Sequence, residues 1–251
     1  MSTFVLVHGA WQGASTWDLI VPKLQTAGHQ VFAPELTGLG EDSHRLSSSV
    51  NLDSHIDDVA GLLQRENLQG VTLVGHSYAG MVITGVAERE SARLSRLIYV
   101  DAFVPNNEES ALDLLPETIQ TSLQEDAYAN GEGWRLPASE KLLDLWGLGP
   151  GAARDYVGTR LCDFSLRCFE QKARLPADAA ALIYKTFIAA VAQSYPARSV
   201  FVRFAERARR ERWDYHELPA GHDCYVELPE RFVSLLLALA GDARPVSQAL
   251  L

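Results

Sequence analysis

Residues 71–83 read VTLVGHSYAGMVI. A β-rich run ends in a glycine, a histidine and a serine, and a helix-forming run with small residues on one side follows. The chain passes from one to the other through a sharp strand-to-helix turn. Such a turn brings helix and strand very close, so its flanks must be small. Gly75 and Gly80 meet that need. Ala79, at the last position of the G-x-S-x-G pattern, adds only a methyl group. Ser77 then stands at the tip of the turn, where a nucleophile must be. The plainer alternative is that Ser77 only caps a helix over 78–90.

The flanking segments predict what surrounds this turn. TFVLV (3–7) is a short strand stopped by His8-Gly9. Ser15 or Thr16 caps a helix running to Gly28, and QVFAPE (30–35) is the next strand. Asn51 caps a helix in which Leu52, Ile56, Val59 and Leu63 recur at helical spacing. Strand 71–75, helix 78–90 and strand 97–103 follow. Strands alternating with helices predict an α/β fold, a mostly parallel sheet with helices on both faces. From Pro105 the rhythm breaks, and residues 106–178 show no clear strand. That segment is expected to be an inserted helical lid. The rhythm returns near 182, and WDYHELPAGHD (213–223) gives a strand and a loop before a closing helix over 230–240. The expectation is one domain over 1–251, with its core in 1–105 and 179–251 and its lid at about 106–178. With 251 residues, 47% of them hydrophobic, the chain is large enough for one such core.

In sheets of this kind, sites form at the carboxyl ends of the strands. His8, Ser77 and Asp101 all fall there. A nucleophilic serine also needs a base and donors for the oxyanion. His222, on the loop between the last strand and the last helix, fits the base; an ordinary loop histidine is the alternative. His29, His44, His55 and His216 fall on surface or strand positions, His76 faces away from the exposed side of the turn, and His8 shapes its own loop. The oxyanion donors are expected to be the amide of Tyr78 and one from HGAW, Ala10 first and Trp11 next. Trp11, Trp134 and Phe164, with Trp146 and Phe169, are candidates for the wall of an apolar substrate pocket, or else ordinary core.

FVLVHGAWQGASTW, APELTGLGEDSH, LVGHSYAGMVI, LIYVDAFVP and HELPAGHD together resemble the α/β-hydrolase superfamily. They resemble most the branch of salicylate-type methyl esterases, hydroxynitrile lyases and pyrethroid-type carboxylesterases. The resemblance covers both halves of the core and touches the lid around FSLRCFEQ (164–171). It implies an aspartate after the next-to-last strand. If that strand is LIYKTFIAA (182–190), then 194–212 is a helix and the acid position falls near Gln193, which cannot ionise. If it is RSVFVRF (198–204), Glu206 supplies the carboxylate but little chain is left for a helix before Trp213. The first register is preferred. The acid is then Asp101, at the end of the strand after the elbow helix, or Glu206, or absent.

The expected function is hydrolysis of an ester or lactone of a small, mainly apolar substrate through an acyl-enzyme on Ser77, with no cofactor or metal. The alternative is lyase, decarboxylase or cyclase chemistry at the same oxyanion amides, which a missing acid would favour. A non-catalytic binding protein is the third reading. Cyanohydrin cleavage is disfavoured, because the lyases of this branch carry threonine and lysine where Gly9 and Asp223 stand. Dehalogenase chemistry would need aspartate at 77. A net charge of −10 argues against nucleic acid or an anionic membrane as partner. The start MSTFVLVHGA has no basic region or long apolar run, so no leader is expected. Cys162, Cys168 and Cys224 are odd in number and lack metal-ligand spacing. Reduced thiols and a cytoplasmic location are the simplest expectation. The oligomeric state is open, a homodimer included.

Overall fold

The computed structural model describes residues 1–241. Its elements in chain order are β1 (Thr3–Val7), α1 (Val21–Thr26), β2 (Gln30–Phe32), α2 (Leu52–Arg65), β3 (Val71–His76), α3 (Ala79–Glu90) and β4 (Leu94–Val100). Then come α4 (Glu117–Asn130), β5 (Arg135–Leu136), α5 (Glu140–Leu145), α6 (Ala152–Gly158), β6 (Phe164–Ser165) and α7 (Leu166–Glu170). The chain re-enters the sheet with β7 (Tyr184–Ala190), α8 (Arg198–Arg210), β8 (Asp214–Leu218), α9 (Cys224–Glu227) and α10 (Pro229–Gly241).

Six strands form one sheet in the order β2-β1-β3-β4-β7-β8, and every pair in it is parallel. This is the α/β-hydrolase fold. From β1 the chain steps outward to β2, then crosses back to β3 on the other side of β1. Right-handed crossovers therefore send α1 to one face and α2, α3 and α8 to the other. The contacts agree: α1 packs on α10, α2 on α3, and α8 on β7 and β8. The reversal lies between β1 and β3, and parallel sheets open a crevice at the carboxyl ends of such strands.

Sequence boundaries shift where the backbone is tightest. The strand expected over 97–103 runs from Leu94 to Val100. It stops there because Asp101 takes φ 42, which the ladder cannot accommodate. The helix expected from Ser15 to Gly28 divides into a 3-10 turn at Ala14–Trp17 and α1, with Pro22 in its first turn. Asn51 does cap α2, accepting from the Ser54 amide while the Ser54 hydroxyl accepts from the Asn51 amide. RSVFVRF is helical: Val200, Phe201, Phe204, Ala205 and Ala208 bury one face of α8. Gln193 thus follows β7, on the surface, and Glu206 lies exposed on α8.

Residues between β4 and β7 build α4 to α7 and the antiparallel pair β5–β6. Hydrogen bonds tie this segment to the sheet's carboxyl edge. Trp11 Nε1 donates to the Leu136 carbonyl at 3.2 Å, and the Cys162 amide donates to the Trp11 carbonyl at 2.9 Å. Among the described residues no helix is long and apolar enough to cross a membrane.

Candidate active site

Ser77 has φ 57, in the left-handed region that costs a non-glycine residue about 1–2 kcal/mol. Its neighbours hold it there. Its amide donates to the Val100 carbonyl at 3.1 Å, and its own carbonyl accepts from the Gly80 and Phe103 amides, each at 3.1 Å. The small flanks are required by space. A Cβ on Gly75 would lie 2.8 Å from the Ala79 oxygen, and one on Gly80 would lie 1.9 Å from the Phe103 oxygen. Ala79 is fully buried yet accommodated, because the closest backbone approach falls one residue later.

His222 sits on the loop after β8. Its amide donates to the Trp146 carbonyl at 2.9 Å, and its carbonyl accepts from His76 Nε2 at 3.1 Å. Its ring stacks on Phe201, centroids 4.8 Å apart. His222 Nδ1 lies 2.7 Å from Asp101 Oδ2. Asp101 is the first residue past β4; its amide donates to the Ile188 carbonyl at 2.8 Å. Its Oδ1 accepts from the Ala190 amide at 3.3 Å, and its Oδ2 accepts from the Tyr195 hydroxyl at 2.8 Å. Both His222 and Asp101 are 2% exposed. Burial pushes the His222 imidazole below its ordinary value, so the ring is neutral and free to take a proton. Burial also pushes Asp101 upward, opposed by the Tyr195 hydroxyl and the Ala190 amide, which favour the carboxylate.

The loop after β1 lies against the elbow. A Cβ on Gly9 would sit 3.0 Å from Ser77 Cβ, and Trp11 has φ 60. Among the described residues no backbone carbonyl accepts from the amides of Ala10 or Tyr78. Both donors are therefore free of the turn structure around them. His8 braces this loop: its Nδ1 lies 3.0 Å from the Gly9 carbonyl and its Nε2 accepts from the Leu36 amide at 3.2 Å.

Ser77 and His222 open into one apolar cavity of about 100 Å³. Trp11, Phe103, Trp146 and Phe169 supply its rings, and α4 and α5 supply aliphatic side chains such as Leu123 and Leu142. Among the described residues, the neutral His222 is the one ionisable side chain in its lining apart from Ser77. Of the five candidate wall residues, Trp11, Trp146 and Phe169 are in the wall. Phe164 is fully buried one layer behind, against Trp11 and Tyr78. Trp134 is absent from the wall; its carbonyl accepts from the Leu166 amide beside the β5–β6 pair.

Several residues near the site had no signal in the sequence. The Tyr195 hydroxyl donates to Asp101 Oδ2 at 2.8 Å and lies 2.9 Å from His222 Nδ1. Fully buried Asp223 accepts from Gln12 Nε2 at 2.6 Å and from the Tyr225 hydroxyl at 3.1 Å, so it links the loops after β1 and β8. Burial pushes its carboxyl up to about 7. His55, expected at a surface or strand position, is instead buried on α2, with Nε2 against the Thr37 carbonyl and Nδ1 against the Tyr78 hydroxyl. His76 packs directly beside His222, with ring centroids 4.5 Å apart.

The model of the alpha/beta hydrolase family matches residues 4–235. The chain belongs to this family. Within the alpha/beta hydrolase family, the carbendazim hydrolyzing esterase of Nocardioides sp. (strain SG-4G) is 33% identical over 246 residues, 95% of this chain and 100% of that protein. Methylesterase 8 of Arabidopsis thaliana is 30% identical over 124 residues, 49% of this chain and 46% of that protein. The structure of tomato methylketone synthase I complexed with 2-tridecanone overlays with a TM-score of 0.80 at 20% identity, covering 97% of this chain and 99% of that one. That likeness concerns the fold alone. This chain is an enzyme of the family's esterase-bearing group.

Proposed function

We propose that the protein hydrolyses esters of small, uncharged, mainly apolar substrates through an acyl-enzyme on Ser77. One observation carries this reading: Ser77 opens to the same cavity as His222, whose Nδ1 lies 2.7 Å from the buried Asp101 carboxyl. Ser77 Oγ attacks the ester carbonyl while His222 Nε2 takes its proton. His222 Nδ1–H donates to Asp101, which orients the ring and stabilises the imidazolium. The amides of Tyr78 and Ala10 donate to the oxyanion; loss of one such donor typically costs about 3 kcal/mol in the transition state. Collapse expels the alcohol, which takes the proton from Nε2. Water then attacks the acyl carbon with His222 again as base, and Ser77 is released.

A missing acid was the feature that favoured lyase or cyclase chemistry. With Asp101 at hydrogen-bond distance from His222, that support lapses. The apolar lining supports a neutral substrate, since an unpaired charge buried there would be costly. The bacterial relative is named for carbendazim hydrolysis, which makes carbendazim a substrate to test beside simple esters.

The test is a short-chain nitrophenyl ester assay together with a fluorophosphonate probe and peptide mass spectrometry. Turnover and a single adduct on Ser77 are expected, with neither in Ser77→Ala. Absence of both in the unaltered protein would contradict the proposal.

A further inference from the structure

We infer that Tyr195 is a positioning residue: its hydroxyl completes a triangle with Asp101 and His222, donates to the Asp101 carboxylate, and so holds His222 in the tautomer that accepts the Ser77 proton. The inference rests on the serine-hydrolase reading above. The three edges are 2.7 Å from His222 Nδ1 to Asp101 Oδ2, 2.8 Å from Tyr195 Oη to Asp101 Oδ2, and 2.9 Å from Tyr195 Oη to His222 Nδ1. Tyr195 is 3% exposed, so water does not compete for its hydroxyl.

The position of this tyrosine is built into the fold. It lies on the loop after β7, two residues beyond Gln193. That is the loop on which the branch resembled here carries its carboxylate. Its amide donates to the Ala192 carbonyl at 3.3 Å. Its ring stacks on His222, centroids 5.7 Å apart. Gly147, with φ 80, packs so close that a Cβ there would sit 3.0 Å from Tyr195 Cα. The loop therefore supplies a phenol donor to an acid that comes from β4.

Proton counting assigns the role. With Asp101 a carboxylate, the phenol O–H and the imidazole Nδ1–H both donate to Oδ2. The Nε2 lone pair is then free for Ser77. If Asp101 takes up a proton, the chain can run the other way round the triangle: Asp101 O–H donates to Tyr195 Oη, and Tyr195 O–H donates to Nδ1. The remaining imidazole proton is then on Nε2, and the base is blocked. A hydrogen bond to the charged form of an acid lowers its pKa, so the phenol holds the triangle in the productive arrangement.

The other groups near Asp101 are known. Arg198, at the start of α8, favours the carboxylate through its charge. Asp223 and Cys224 follow His222 and feel the Asp101 charge. On its far side Asp101 shares a cavity with Arg198, Glu206, Arg209 and Glu217. Removing the Tyr195 hydroxyl leaves all of these in place.

The experiment compares the unaltered protein, Tyr195→Phe and a variant with 3-fluorotyrosine at 195. The readouts are kcat/KM for a nitrophenyl ester and the rate of Ser77 labelling by fluorophosphonate, each against pH. Loss of one hydrogen bond to a charged group should move the acid limb of Tyr195→Phe up by roughly one pH unit, with KM little changed. Fluorotyrosine is a stronger donor, so its limb should move down. In an Asp101→Asn background, Tyr195→Phe should have less than about a twofold further effect, as expected of residues acting through one partner. Limbs that stay put in both variants, or effects that multiply in the double variant, would overturn the inference. Failure of the unaltered protein to label at Ser77 would instead overturn the serine-hydrolase reading. If Tyr195→Phe does not fold, the sign of the fluorotyrosine shift decides.

Discussion

Trp11, Ser77 and Asp101 all take left-handed backbone angles, at φ 60, 57 and 42, and all three stand at carboxyl ends of strands around one crevice. Strain of this kind persists only where the surroundings fix it, and it gathers at functional sites. At Ser77 it should be measurable. Ser77→Gly and Ser77→Ala both lack the hydroxyl, but glycine relieves the dihedral. Urea unfolding should find the glycine variant more stable than the alanine variant by about 1 kcal/mol. Neither should turn over ester. Ser77 and His222 were legible because each sits in a local pattern, a strand–turn–helix and a late loop. Asp101 was legible only as a strand end, since nothing local says which carboxylate meets His222. Tyr195 and Gln12 were not legible at all. Their partners lie 27 and 211 residues away in the chain, and only the packed loops bring them together.

The elbow shows which elements the sequence could place and why. β3 is buried at every position, and the mainly apolar runs of β1 and β3, without a polar-apolar alternation, mark them as central parallel strands. Their boundaries shifted by a residue or less. The run 198–204 was ambiguous because Val, Phe and Val suit a strand as well as a helix. Burial of Val200, Phe201, Phe204, Ala205 and Ala208 on one face settles it as α8, which leaves Glu206 pointing outward. Close approach between elements gives a graded prediction. Gly80→Ala must displace the Phe103 carbonyl and should lower unfolding free energy by about 3 kcal/mol, the upper end of overpacking costs. Gly28 has φ 86 but open space around a Cβ. Gly28→Ala should cost only about 1 kcal/mol, from the dihedral alone. Thermal or urea denaturation of the two variants checks the ranking.

At the scale of the whole molecule, the sheet's carboxyl edge carries Ser77, Asp101 and His222, and the segment between β4 and β7 lines much of the cavity beside them. The departure of this segment from the sheet was readable as a break in the strand–helix rhythm. The segment's inner wall was not, because which rings face the crevice depends on how α4 to α7 pack. That is why Trp134 and Phe164 were candidates beside Trp11, Trp146 and Phe169, although only the last three line the cavity. The wall predicts discrimination by charge. An ester carrying an acyl-side carboxylate should lose about 100-fold in kcat/KM against its neutral isostere, from burying an unpaired charge worth about 3 kcal/mol. Steady-state kinetics on the matched pair measures it. The account as a whole turns on an acid drawn from the end of β4, not from the loop after β7. Its most direct test is kcat/KM of Asp101→Asn beside Glu206→Gln and Gln193→Ala, on one nitrophenyl ester with folding checked by circular dichroism. The account predicts a loss of about 10⁴-fold for Asp101→Asn, the scale of acid removal in serine triads, and less than about threefold for the other two. Small and equal effects in all three would contradict it.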